Sequence, residues 1–342
     1  VLFLCNLCKS SYQPELNKFI KIIISVFISG FGLYFAFKGE QFDVLWVQIL
    51  EVQILPLSIS IFLLIFSIYV RAKRWQVILL PVEKIDSHTL FASTMVGYFG
   101  NGVLFFRLGE LLRGYSIASK SKLSVSQAFG TILLERALDM MSVVILIIVV
   151  SPFYPYSNPI FRTAIFTISI ISISAGVFLY LSQKYYWIDK FRHFSIVKVG
   201  IGKVAFQVFE KIFDGITLLR QTRHSFIILL YSIFLWIIYY SVTLLLLSSV
   251  YIDIGWIGPA VILIAGSIGL AIPALPGAAG TYDSVIKFAL IALFTISSEQ
   301  ALAYALISHS ASFFPFVIIG MIYFIFGSVR IKDIKKGSAG EI

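Results

Sequence analysis

Residues 225–249 read SFIILLYSIFLWIIYYSVTLLLLSS, and no charge interrupts them. A helix needs about 20 predominantly apolar residues to cross the hydrocarbon core of a bilayer. Within hydrocarbon each backbone N–H and C=O has to be satisfied inside the protein, so a continuous apolar run of this length predicts a transmembrane helix. Residues 19–37, 54–70, 137–154, 160–182 and 301–326 are further runs of the same kind. The other 256–275 and 284–296 segments form a pair separated by PALPGAAGTYD.

Hydrophobic residues make up 59% of the 342 and charged residues 13%. Soluble domains sit near 45–50% and 25%, so the whole chain, residues 1–342, is expected to be a single integral membrane domain with short loops. The fold class expected is an all-α polytopic membrane protein. The net charge of +10 is carried by lysines and arginines that flank the spans, which excludes nucleic acid as a partner and suggests a rim facing anionic lipid.

That rim sets an orientation. Lys9, Lys18 and Lys21 open the first span, and the loop after it (Lys38, Glu40, Asp43, Glu51) is net acidic. Arg71, Lys73, Arg74 and Lys84 follow the second span, residues 184–223 carry eight basic residues from Lys184 to Arg223, and the tail has Arg330, Lys332, Lys335 and Lys336. The positive-inside rule then places both termini in the cytoplasm, with the protein in the cell (inner, cytoplasmic) membrane. Five spans leave the chain outside by about residue 250. Segments 256–275 and 284–296 therefore either both cross, giving eight spans, or form a re-entrant hairpin, giving six. The second limb is short and holds Lys287, which favours the hairpin. Residues 88–134 pose the same problem from the opposite side, with Gly97, Gly100 and Gly102 in a moderately apolar run and residues 123–134 too short to span before Glu135. A second re-entrant hairpin or pair of broken helices is expected there. Residues 201–219 alternate an apolar and a charged face at helical spacing and predict an amphipathic helix along the inner membrane surface.

Charges inside such a chain are informative, because each costs about 2.5–3.5 kcal/mol at the bilayer centre on insertion scales. Three clusters occur. In RLGELLR, Arg107, Glu110 and Arg113 are spaced i, i+3, i+6 along one side, with Glu110 in reach of either arginine. One acid with two bases leaves a net positive site that suits a phosphate-bearing headgroup. In LLERALDMM, Glu135 and Asp139 share a face and Arg136 is three residues from Asp139, where a span opens. These are read either as ion pairs that lock helices or as groups that handle substrate or protons. In LPGAAGTYDS, Pro276, Gly277 and Gly280 allow a backbone break, and Thr281, Tyr282 and Asp283 start the next helix, whose N-terminus favours anions. Asp283 as a plain helix cap, or the whole stretch as an extracellular turn, are the alternatives. The breaks at 97–110 and 266–283 share a Gly-x-x-Gly pattern and enter from opposite faces, as in an inverted-repeat transporter. His88 and His224 fall in loops, and His309 stands in a span with a hydrogen bond to a neighbour as its expected role. Cys5 and Cys8 form a lone CxxC, short of the four ligands of a zinc site, and no metal or cofactor is expected.

Four segments, VRAKRWQVIL (70–79), GYFGNGVLFFRLGELLRGYSI (97–117), LLERALDMM (133–141) and IPALPGAAGTYDS (272–284), occur in that order. Together they resemble the flippase-like transmembrane domain of lysylphosphatidylglycerol synthases and its stand-alone relatives, over nearly the whole chain. The resemblance implies a polytopic domain that moves lipid-linked substrates between leaflets. It does not bring lysyl transfer, since the soluble synthase half is absent from this sequence. Where the family often has proline before the motif arginine this chain has Phe105-Phe106, and the family's PGG-x-G reads Pro276-Gly277-Ala278-Ala279-Gly280. The matching residues that inherit a suspected role are Arg74, Trp75, Asn101, Arg107, Gly109, Glu110, Arg113, Glu135, Arg136, Asp139, Pro276, Gly277, Gly280, Tyr282 and Asp283.

The function expected from the sequence is a lipid flippase or transporter for phospholipid or lipid-linked anionic headgroups. Its substrate-binding residues would be Asn101, Arg107, Glu110, Arg113, Glu135, Arg136, Asp139, Pro276, Gly277, Gly280, Tyr282 and Asp283, with no catalytic residue named. A membrane-embedded transferase on polyprenyl-phosphate lipids is one alternative, although no Asp-Asp, Asp-x-Asp or His-rich cluster supplies its chemistry. An accessory or scaffold subunit of envelope lipid or polysaccharide biosynthesis is the other. A homo-oligomer is left open.

Overall fold

The computed structural model describes residues 30–104, 108–153, 224–272 and 276–327, with the isolated positions 27, 170 and 174. Arg107, the expected amphipathic helix at 201–219, the CxxC and most of the first and fourth expected spans lie outside the described residues. Among the described residues the architecture is all-helical. After the helical stretch 30–37 come α1 (Phe42–Leu50), α2 (Ile54–Leu79), α3 (Ser87–Val103), α4 (Gly109–Ala118) and α5 (Val125–Val150). Then follow α6 (Ser225–Ser249), α7 (Gly258–Ala271), a 3₁₀ turn at Pro276–Ala278, α8 (Thr281–Phe294) and α9 (Ser298–Phe326).

Among the described residues, four stretches are long and apolar enough to cross a bilayer: Ile54–Leu79, Ser225–Ser249, Pro276–Phe294 and Ser298–Phe326. The outer faces of these helices are greasy, with Phe62, Phe226, Phe234 and Ile325 exposed. α2 and α6 pack along their length, and α9 packs against α3 and α8 through a core that includes Leu235, Leu246, Leu290, Leu302 and Tyr304. Two expected boundaries move. The second span ends not at residue 70 but at Leu79, carrying Arg71 and Arg74 into the interior at 4% and 0% exposure. Residues 123–134 are not a separate short segment: the Ser124 hydroxyl caps α5, and Gln127 completes the capping box. The LLERALDMM charges therefore sit inside one continuous 26-residue helix, not at its mouth.

The two interrupted regions fold as helical hairpins. α3 and α4 run antiparallel, with Ser93 against Ser116, Gly97 against Arg113 and Gly100 against Gly109. The glycines are there for proximity: a Cβ on Gly109 would lie 2.0 Å from the Gly97 carbonyl oxygen. Asp86 caps α3, its carboxylate accepting the His88 and Thr89 N–H groups and the Thr89 hydroxyl. α7 and α8 form the second hairpin, with Gly266 on Ile286 and Gly269 on the Tyr282 backbone.

The hairpins open at opposite ends of the bundle. At one end the Gln53 N–H donates to Ser249 O and the Gln300 side chain to Val250 O, which joins the start of α2, the end of α6 and the start of α9. α7 begins and α8 ends at that end. At the other, His88 meets the Tyr323 hydroxyl at 3.2 Å and the Lys122 N–H donates to the Glu83 carboxylate at 2.8 Å. The α3–α4 hairpin opens there. Inside the bundle the two tips meet. α3 packs on the Pro276–Ala278 turn, and the ring of Phe313 in α9 supports both Gly102 and Gly277.

Candidate functional site

Where α2, α4, α5 and α6 converge, four guanidinium groups and three carboxylates form one network. Arg71 donates to Asp139 at 2.7 Å and to the Tyr239 hydroxyl at 3.0 Å. Arg74 donates to the other oxygen of Asp139 at 2.7 Å and to Ser232 at 3.1 Å, and lies 3.6 Å from Glu135. Arg113 donates to Glu135 at 2.5 Å, and Arg136 to Glu110. Helical periodicity delivers this pattern: Arg71 and Arg74 are one turn apart on α2, as are Glu135 and Asp139 on α5, so the two pairs meet face to face.

The pairing differs from the sequence expectation at one point. Glu110 was expected to serve the arginines of its own helix, and it instead reaches Arg136 across to α5 while Arg113 turns to Glu135. The hairpin geometry is the reason. α4 lies against α5 with Arg113 on its buried side, and each charge finds its shortest partner on a neighbouring helix. The expected Arg136–Asp139 contact along α5 is present but longer, at 3.9 Å. Trp75 completes the arrangement, its ring 3.8 Å below the Arg113 guanidinium and its indole N–H donating to Thr131 at 2.9 Å.

Among the described residues the network holds one positive charge in excess, four guanidiniums against three carboxylates. Not all of the polar groups around it are used, neither the donors of Arg113 nor the acceptor oxygen of Asn101. Nε and Nη1 of Arg113 and the Asn101 side-chain oxygen are buried without a hydrogen-bond partner. An unmade buried hydrogen bond costs about 1–3 kcal/mol, more for a charged group. Arg113 and Asn101 line a narrow cleft together with Thr94, Gly97, Tyr98, Glu110 and Arg136, closed in this conformation too tightly to hold a water molecule. The cleft is thus walled by both limbs of the first hairpin and by α5. Unpaired guanidinium N–H groups in a net positive wall suit an anionic oxygen.

The second cluster is the break before α8. Gly277 and Gly280 have φ of 73° and 83°, and Ala278 has 60°, so the turn depends on left-handed backbone that glycine adopts at least cost. Asp283 accepts the Gly280 N–H at 2.9 Å, which makes it a cap, and its other oxygen meets His309 Nδ1 at 2.9 Å, which makes it more than one. The Tyr282 hydroxyl lies 3.2 Å from Ser308. Pro276 sits in the turn facing α3. Behind α8, Lys287 is buried against Glu40 and donates to the Ala36 carbonyl at 2.6 Å, so its charge is compensated inside the protein.

The structure thus gathers Asn101, Glu110, Arg113, Glu135, Arg136 and Asp139 at one centre, and Pro276, Gly277, Gly280, Tyr282 and Asp283 at a second, with the hairpin tips in contact between them. Sequence reasoning left Arg71, Tyr98 and Tyr239 out of the site and counted Arg71 and Arg74 with the cytoplasmic rim. Their i, i+3 spacing beside Trp75 was the available signal.

A protein-family model described as the lysylphosphatidylglycerol synthase TM region matches residues 22–320. The chain belongs to that family. Comparison with curated protein sequences finds no match. Membership in the lysylphosphatidylglycerol synthase TM region family, together with the apolar helices, makes this a multi-pass membrane protein with a lipid-related role.

Proposed function

We propose that the protein moves phospholipid or lipid-linked anionic headgroups between leaflets, and that the junction of the two hairpins is the passage. The observation that carries this reading is the cleft beside the first hairpin, where buried Arg113 keeps two nitrogens unpartnered in a net positive wall. Arg113 and Asn101 engage the headgroup, Glu110 and Glu135 hold the guanidiniums in place, and Gly277–Asp283 forms the opposite gate. Arg107 belongs to the same motif and acts with Arg113.

The proposal includes six crossings and two re-entrant hairpins, arranged as an inverted repeat. α4, of 10 residues, and α7 and α8, of 14 each, rise only about 15 and 21 Å, short of a hydrocarbon core of about 30 Å. α8 reaches a spanning length only when the non-helical turn at residues 276–280 is counted with it. Charge supports the orientation in the cell membrane. Lys73, Lys84, Lys120 and Lys122 lie towards the end where α2 and α4 finish, while Asp43, Glu51, Asp253 and Glu299 lie towards the other. That distribution supports termini in the cytoplasm and a first hairpin that opens inward.

A second reading, an accessory or scaffold protein, is favoured by the ion pairs themselves, which tie α2, α4 and α5 together. The transferase alternative has no comparable observation behind it. Translocation of a fluorescent anionic phospholipid in proteoliposomes separates the two. With Arg107→Gln and Arg113→Gln the transport reading predicts at least a tenfold lower rate, about 1.4 kcal/mol of lost interaction, in protein that still folds. An unchanged rate in both variants overturns it.

A further inference from the structure

His309, on α9, presents both ring nitrogens to the break of the second hairpin. Nε2 lies 2.9 Å from the Gly277 carbonyl oxygen and Nδ1 lies 2.9 Å from Asp283 Oδ1. A peptide carbonyl only accepts, so Nε2 carries a hydrogen and donates it. A neutral imidazole has no second N–H, and its Nδ1 lone pair would then face a carboxylate oxygen, two acceptors at hydrogen-bonding distance. The geometry needs one more proton between Nδ1 and Oδ1. Asp283 Oδ2 already accepts the Gly280 N–H, so the extra proton belongs between Nδ1 and Oδ1, and a carboxyl group is ordinarily far more acidic than imidazolium. The proton rests on His309.

The surroundings leave this pair to itself. Asp283 is the charged side chain that faces the ring among the described residues. On α8, Tyr282 stacks beside the imidazole at 5.2 Å between ring centres but points its hydroxyl at Ser308, and Lys287 is engaged by Glu40. On α9, Tyr304 is buried five residues before His309, and on α3 Tyr98 packs on Phe316. α7 carries no ionisable side chain. The His309 side chain is 16% exposed and Asp283 3%.

We infer that His309 and Asp283 form a proton-binding site, and that the bound proton holds the break at residues 276–280 closed against α9. A proton arriving from water is shared by the pair as imidazolium and carboxylate, and both hydrogen bonds form. When it leaves, the neutral ring keeps either the Gly277 carbonyl or the Asp283 carboxylate, and the turn is released at one of its two ties. The same helix carries Phe313, on which Gly102 and Gly277 both rest, so release at His309 is felt at the tip of the first hairpin. That a proton gradient thereby drives headgroup movement rests on the transport reading; the proton site does not.

The test uses the full chain in nanodiscs with ¹⁵N-labelled histidine. The protein has four histidines, and the His309 signal is assigned by its loss in H309Q or, should that variant not fold, by elimination with H88Q, H193Q and H224Q. Expected is a ring protonated at both nitrogens near neutral pH, losing one proton on alkalinisation, and loss of the doubly protonated form near neutral pH in D283N. A ring that is singly protonated across the range in which histidines titrate, or whose protonation ignores D283N, overturns the inference. Headgroup translocation under an imposed pH gradient gives the second readout. A gradient response in the wild type that disappears in D283N supports coupling. A doubly protonated His309 in protein that translocates no lipid under any gradient overturns the transport reading and leaves the proton site standing.

Discussion

Glu135 is the residue on which the buried network turns. It is fully buried and carries the ion pair of Arg113 while lying 3.6 Å from Arg74. Removing it strands the Arg113 charge, whereas Arg74 keeps Asp139. Glu135→Ala is expected to cost about 3–5 kcal/mol, the range for breaking a buried pair from one side, read as a lower unfolding midpoint in detergent. Joint replacement of Arg113 and Glu135 by leucine and methionine should recover most of that stability, because no new charge is stranded: Arg71 and Arg74 keep Asp139, and Arg136 keeps Glu110. At the N-terminus of α3, Asp86 gives a pH prediction of known sign. The N–H groups of His88 and Thr89 and the Thr89 hydroxyl hold its carboxyl below the usual aspartate range. Its capping contribution is therefore present above the unfolded-state value and lost as pH falls through the folded one. Amide hydrogen exchange at His88 and Thr89, corrected for intrinsic rates, should speed up in acid in the wild type and already at neutral pH in Asp86→Ala, and not on alkalinisation.

At the scale of elements, the first hairpin depends on how closely its limbs approach. A Cβ on Gly109 would meet the Gly97 carbonyl oxygen at 2.0 Å and the Asn101 nitrogen at 2.4 Å, both backbone atoms that cannot rotate away. Gly109→Ala should therefore splay the limbs and cost about 1–3 kcal/mol, the usual range for overpacking, with a lower folded yield in detergent. Gly114→Ala, whose Cβ would find its nearest neighbour at 3.9 Å, is the control expected to leave the yield unchanged. The second hairpin and the glycine run of the first were legible in the sequence because they are local signals, but the second limb of the first lies at Gly109–Ala118 and not at 123–134. α6 was legible to the residue because nothing in 225–249 competes with a helix. The pairing of charges was not. Arg71 and Arg74 follow an apolar run as cytoplasmic flanking charges do, and hydropathy alone cannot tell a rim arginine from one that α2 carries inward to Asp139. Glu135 likewise looked like the start of a span because three charges in nine residues mask a continuous helix. Partners more than 60 positions apart in sequence, such as Arg74 and Asp139, leave no spacing to read.

At the scale of the molecule, the account makes the hairpin junction the place where a headgroup leaves water without entering hydrocarbon. The apolar outer faces of α2, α6 and α9 suit lipid tails, and the polar atoms that a headgroup needs are inside. An anionic phospholipid carrying a photoactivatable group on its headgroup, cross-linked to the protein in a bilayer and mapped by mass spectrometry, locates that headgroup directly. The account predicts adducts between residues 94 and 113 and between 276 and 283, diminished in Arg113→Gln. Adducts confined to outward-facing positions such as Phe62, Phe226 and Ile325, with none at the junction, would contradict it.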